Sequence, residues 1–199
     1  MKKSIVVLSS MLLFGVAFEG CQKKGEGDPS ISMHGRKARI TGDWTLSAGT
    51  QTDISGGTST TTTISGTTAT MTSGSTTTVY TLAQTLSIVK DGTFTQKTTM
   101  TATGFNDVTT ITGTWNWTGG VGDLKKRSQI VMTTLTSNDV QTIGTATTTT
   151  IKTYSGSDAP SSINDIFELK NKEIIVKWDG TTVSGSSTSS SKGEMTFVQ

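Results

Sequence analysis

Residues 79–100 read VYTLAQTLSIVKDGTFTQKTTM, and their alternation decides the class of fold. Tyr80, Leu82, Leu86 and Ile88 share one face of an extended chain, with Thr81, Thr85 and Ser87 on the other. A period of two belongs to a strand with one packed face and one wet face, which is the antiparallel case. Asp91 and Gly92 then supply turn chemistry, and Phe94 and Met100 resume the pattern beyond them. The stretch reads as a β-hairpin.

The same period recurs on both sides of it. Ile40, Trp44 and Leu46 alternate with polar residues in ARITGDWTLS; Ile111, Trp115 and Trp117 do so in TTITGTWNW. Ile130 and Met132 follow, then Phe167 and Leu169, then Ile174, Val176 and Trp178, and Met195 with Phe197 close the series. Turn signals fall at residues 91–92, 105–107 (FND), 119–123 (GGVGD), 137–139 (SND), 155–160 (SGSDAP), 170–172 (KNK) and 179–180 (DG). No window carries a helical period. About eight to ten strands joined as consecutive hairpins predict an all-β, antiparallel up-and-down barrel, because closure removes the exposed edges of the sheet. A two-sheet β-sandwich is the alternative.

Composition agrees with this class. Thr and Ser make up about a third of the 199 residues, and the hydrophobic fraction is 32%. Threonine is β-branched and suits strands whose outer faces are polar. Two segments are low in complexity, 49–78 and 181–193; the first suits exposed hairpin arms, while the Ser-rich second is expected to stay mobile. Net charge is +2, with Lys2 and Lys3 contributing at the very start, so the clustered positive charge expected of a nucleic-acid binder is missing.

The first twenty-one residues, MKKSIVVLSSMLLFGVAFEGC, place two lysines before an apolar run from Ile5 to Phe18. That run is the length of a secretory h-region and shorter than the ~18 residues a spanning helix needs. Gly20 then precedes the only cysteine, Cys21. The arrangement resembles a bacterial lipoprotein signal, which implies cleavage after residue 20 and lipidation of Cys21. Several acyl chains at ~0.8 kcal/mol per buried methylene make a stable membrane anchor. Residues 21–37 then read as a flexible tether and 38–199 as the folded domain. Gln22 stands where an inner-membrane retention signal would have Asp, so the resemblance implies anchoring at the outer membrane of the cell envelope.

Gly42 and Trp44, in ITGDWTL, form the Gly-x-Trp that marks the first strand of lipocalins. Together with KDGTFT, GTWNW and the late hairpin IFELKNKEIIVKW, the chain resembles the lipocalin-like lipoproteins of Bacteroidota over about 27–199. The second lipocalin motif, Thr-Asp-Tyr, is absent, and Arg127 matches the third only by position. The resemblance implies a small barrel that binds an apolar ligand without catalysis. Trp44, Tyr80, Phe94, Trp115, Trp117 and Trp178 fall on inward positions by parity, as core or as the wall of a ligand cavity. The alternative is a structural or adhesive surface module whose Thr/Ser arms make the contacts.

Catalytic chemistry finds little to stand on. His34 is the only histidine and precedes the first strand, so with one Cys and one His no nucleophilic triad of the usual kind assembles. Asp91, Asp107, Asp123, Asp139, Asp165 and Asp179 are expected to serve turns. The basic groups at Arg36, Lys37 and Arg39 and at Lys125, Lys126 and Arg127 read as solvated chain. The expectation is a protein that is not an enzyme, with no cofactor and no metal site.

Overall fold

The computed structural model describes residues 36–119, 128–184 and 187–199. Apart from one short helix, α1 (Arg36–Ile40), and a 3-10 turn at Gly156–Asp158, these residues are strands and their connections. In chain order the strands are β1 (Gly42–Ser55), β2 (Thr58–Ser65), β3 (Thr68–Ser73), β4 (Thr76–Ile88), β5 (Thr93–Ala102), β6 (Phe105–Gly119), β7 (Ser128–Ile143), β8 (Ala146–Thr153), β9 (Ser161–Leu169), β10 (Glu173–Ser184) and β11 (Ser187–Val198). Every pairing is antiparallel, and β1 pairs with β11 from Thr45↔Val198 to Ser55↔Ser189. The result is a closed ten-strand barrel with β8 as one extra strand, in place of a two-sheet sandwich.

Two strands change partners half-way along, which gives the barrel two unlike ends. β1 pairs with β4 over Gly42–Thr45 and with β2 from Ala48 onward. The β2–β3 hairpin thus fits between β1 and β4 where they part. Its tip costs no backbone bonds, because Gly66 N–H donates to Ser47 O at 2.8 Å and Leu82 N–H to Thr67 O at 2.9 Å. β7 makes the matching exchange, pairing with β9 over Ser128–Thr133 and with β8 over Thr136–Ile143. At the floor end the wall is therefore an eight-strand ring, while the mouth end carries the added arms.

The apolar core sits at the floor. Ile40, Trp44, Leu46, Ile88, Phe94, Trp115, Ile130, Ile166, Leu169, Ile174 and Phe197 are all buried there. α1 caps this end: Ile40 is fully buried, its carbonyl accepts from Trp44 Nε1 at 2.8 Å, and the Arg39 guanidinium donates to the Leu169 carbonyl. The Asp91–Gly92 turn closes the β4–β5 corner, with Trp115 Nε1 donating to Val89 O at 2.9 Å and Trp115 N–H to Gly92 O at 2.7 Å. Both tryptophans therefore place their one polar atom on a backbone carbonyl, which burial requires.

Bulges explain where the simple alternation breaks. Register shifts lie between Leu46 and Ala48, between Thr112 and Gly113, and between Ile175 and Val176. An extra residue bends the strand and flips the face of everything beyond it. Phe167 is the residue skipped opposite the third shift, so it leaves the core, and Ile166 is fully buried there in its place. The Lys177 ammonium lies 3.6 Å from the Phe167 ring centroid.

Several expected turns are strand instead. Phe105–Asp107 begins β6, Ser137–Asp139 lies inside β7, Asp165 is in β9, and Asp179 with Gly180 is in β10. The chain reverses at Gly56–Gly57, Gly66–Thr67, Gly74–Ser75, Thr103–Gly104 and Gly144–Thr145. Gly66, Gly74 and Gly144 have φ of +58°, +57° and +61°, which places positive φ at the first central residue as a type II′ hairpin demands. The Ser-rich segment expected to be mobile is largely strand, with Ser189, Ser190 and Ser191 paired to both β1 and β10. Residues 1–35, with the lipoprotein-like signal, Cys21 and His34, lie outside the described residues, as do Asp123, Lys125, Lys126 and Arg127.

Candidate functional site

Above the floor the inward positions mix polar with apolar residues, Gln84 lying between buried Leu82 and Leu86. The register carries the inward face from Leu82 and Leu86 to Gln84, from Phe94 to Gln96, and from Ile130 to its partner Asn164. On β10 and β11, the core-packed pair Val176↔Met195 is followed by Trp178↔Gly193. Of these residues Gln84, Gln96, Asn164, Trp178 and Met195 line a cavity of about 750 Å³ in the mouth half of the barrel, together with Asp53, Ser162 and Ser191.

The cavity reaches the outside through a seam in the wall. β9 and β10 pair only as far as Asp165↔Lys177; beyond that row β10 has β11 on one side and no strand pairing on the other. Ser162, Ile163, Asn164 and Asp165 line one lip and Lys177, Trp178, Asp179 and Gly180 the other. Lys177 is held on the outer wall by Glu194 at 2.7 Å. Gln129 Nε2 donates to Asp165 Oδ1 at 2.7 Å, which steadies the opposite lip.

Trp178 is fixed by its neighbours on β11. Its Nε1 donates to Ser191 Oγ at 3.1 Å. A Cβ on Gly193 would lie 2.4 Å from Trp178 Cζ2 and 2.6 Å from Cη2, so the indole lies over the space that glycine leaves empty. The ring is thus pinned along the wall at the first row of the seam, with cavity on its inner side. Gln84 and Gln96, on β4 and β5 across the ring, have no side-chain hydrogen-bond partner among the described residues.

The other predicted site residues separate by height. Trp44, Phe94 and Trp115 belong to the solid floor, Trp117 is half-buried beside them, and Tyr80 is half-buried against the core higher up, in the row of Ala69. Trp117 meets Trp115 edge-on, with ring centroids 6.1 Å apart. Of the six residues expected to form core or cavity wall, Trp178 alone lines the cavity. Gly42 has φ +141°, and a Cβ there would lie 2.3 Å from Gln199 Nε2, so the Gly of the Gly-x-Trp pair is where the C-terminal residue passes.

A second polar feature was hidden by the turn reading. Asp107 and Asp139 both take inward positions in the β6–β7 arms, two rows apart in the register, and Thr109 Oγ1 donates to Asp139 Oδ1 at 3.0 Å. Desolvation first, then hydrogen bonding and repulsion from Asp139, raise the Asp107 carboxyl above its ordinary value of 3.8. Asp91 is the reverse case: Thr93 donates through Oγ1 at 2.6 Å and N–H at 2.9 Å, and holds that carboxyl below its ordinary value.

Among the described residues no group of three or more His, Cys, Asp or Glu could hold a metal, and no helix is long and apolar enough to cross a membrane. No protein-family model matches the chain, and searches of curated proteins and of solved structures return no match.

Proposed function

We propose that the chain is a lipocalin-like binding barrel, tethered to the cell envelope through lipidated Cys21, that holds a small molecule in its mouth-half cavity without transforming it. The observation that carries this reading is the division of the barrel interior. The floor is packed solid, while above it about 750 Å³ stays open, within the ~300–1,000 Å³ usual for small-molecule sites. A barrel that served only as a rigid module has no need of such a space. The resemblance of residues 1–21 to a lipoprotein signal supports the anchor and the outer-membrane location.

The lining also qualifies the expectation of an apolar ligand. Met195 and Trp178 offer apolar surface, whereas Gln84, Gln96, Asn164 and Asp53 offer polar groups. Native mass spectrometry of the protein purified from its own cells tests the proposal. A co-purifying small molecule, released on denaturation, is the expected result. Clean apo-protein that takes up neither a lipophilic dye nor small polar solutes would overturn it. That result would favour the structural or adhesive reading, for which β8 offers an exposed outer edge with Ile151 69% exposed.

A further inference from the structure

Resting on the proposal of a ligand cavity, we infer that its ligand is a neutral carbohydrate, a mono- or disaccharide unit stacked on Trp178. Three features of the wall point to this chemistry and away from fatty acids, amines and organic acids. The first is the platform. Trp178 is held along the wall by Ser191 Oγ and by the missing side chain of Gly193, so its polar atom is satisfied and one broad face meets the cavity. A flat indole face carries partial negative charge and pairs well with the polarised C–H groups on one side of a pyranose.

The second feature is the type of polar group. Gln84, Gln96 and Asn164 are amides, each with donors and an acceptor on one planar unit. Hydroxyls are likewise donors and acceptors, so amides match a polyol from either side. An ammonium ligand would call for acceptors alone and a carboxylate ligand for donors alone, and three of the charged groups in the lining are engaged within the wall: Asp53 accepts from Gln51, Asp165 accepts from Gln129, and Lys177 pairs with Glu194. The glutamines are free to answer: Gln84 pairs with Thr98 across β4–β5 and Gln96 lies diagonally beside it, with both side chains inward and without internal partners. The third feature is access. The seam between β9 and β10 opens beside Trp178, so a sugar at the end of a chain can enter sideways without threading the mouth.

Isothermal titration of the purified chain with cellobiose, maltose, lactose and chitobiose tests this, alongside palmitate and an anilinonaphthalene dye. Binding of at least one sugar is expected, weakened about tenfold or more by Trp178→Ala and largely kept by Trp178→Phe. Gln84→Ala, which alters no core residue, is expected to weaken it about fivefold, and thermal melts of each variant separate lost binding from lost folding. Palmitate or dye binding with no sugar binding would overturn the sugar assignment and leave the ligand cavity standing. No binding by any probe would overturn both. Sugar binding untouched by Trp178→Ala in a folded variant would overturn the platform.

Discussion

Replacing Gly113 by alanine should strike the barrel harder than the same change at any other glycine whose surroundings the structure describes. Gly113 stands at the β6–β7 register shift, where β7 passes so close that an added Cβ would lie 2.0 Å from Thr133 O and 2.9 Å from Thr133 C. On its other side Phe94 Cε1, part of the buried floor, would be 2.8 Å away. A backbone carbonyl cannot rotate aside as a side chain can, so the two strands must part and the Phe94 ring must shift. Overpacking costs about 1–3 kcal/mol, and the loss of a ladder hydrogen bond about 1 kcal/mol more. The sum, about 3 kcal/mol, converts to a melting-temperature loss of roughly 6–12 °C for a chain this long. Gly180→Ala is the matched control: it also sits in a strand, nothing lies within 4 Å of its would-be Cβ, and its change should stay within about 0.5 kcal/mol. Urea denaturation followed by tryptophan fluorescence, with thermal melts, measures both. Equal small effects at the two positions would refute the bulged register of β6 and β7.

The raised Asp107 carboxyl favours folding while it is protonated, so its contribution is complete below 3.8 and is lost as pH rises through the raised value; Asp107→Asn should flatten that part of a stability–pH curve, and an unchanged curve would count against the Asp107–Asp139 pair. Asp91 works in the opposite sense: its contribution is present above 3.8 and fades as pH falls through the lowered value, so Asp91→Ala should destabilise near neutrality and converge with the parent in acid. Gly193→Ala places a methyl group on the Trp178 ring and 2.7 Å from Thr50 O, and should redden Trp178 emission as the indole is pushed from the wall, with a loss of about 1–3 kcal/mol. An unshifted spectrum would mean that the ring does not lie over the glycine.

How much of this was readable in the sequence depends on height in the barrel. At the floor the core imposes strict alternation, and Trp44, Leu86, Ile88, Phe94, Trp115 and Phe197 all stand where parity predicts. Closure of the last strand on the first was legible because an open meander of that many strands would leave its edges exposed. Towards the mouth, beyond Ile64, Ala69 and Tyr80, most arm positions meet water or a polar cavity, so little apolar rhythm marks the strands. Asp107, Asp139 and Asp179 therefore read as turn residues although they sit in ladders. The true hairpins at Gly66–Thr67, Gly74–Ser75 and Gly144–Thr145 are Gly-x pairs within runs of Thr and Ser, where a single glycine was the available signal.

The site shows the same limit. Trp115 and Trp178 both face inward by parity, yet one is buried in the floor and the other walls the cavity. Parity reports the face of a sheet and not the level along the strand. Gly193 was equally opaque, a glycine in a Ser-rich tract whose purpose emerges only when its partner in the ladder is Trp178. Gln84 and Gln96 interrupt an apolar face, and that interruption was the one sequence signal of a polar cavity.

The most direct test is to follow the tryptophan indole N–H resonances of the ¹⁵N-labelled chain while a binding sugar is added. Trp44 and Trp115 donate to backbone carbonyls in the packed floor, whereas Trp178 donates to Ser191 at the cavity wall. The Trp178 signal is expected to move with saturation while those of Trp44 and Trp115 stay still. Movement of the floor signals with Trp178 unchanged would contradict it.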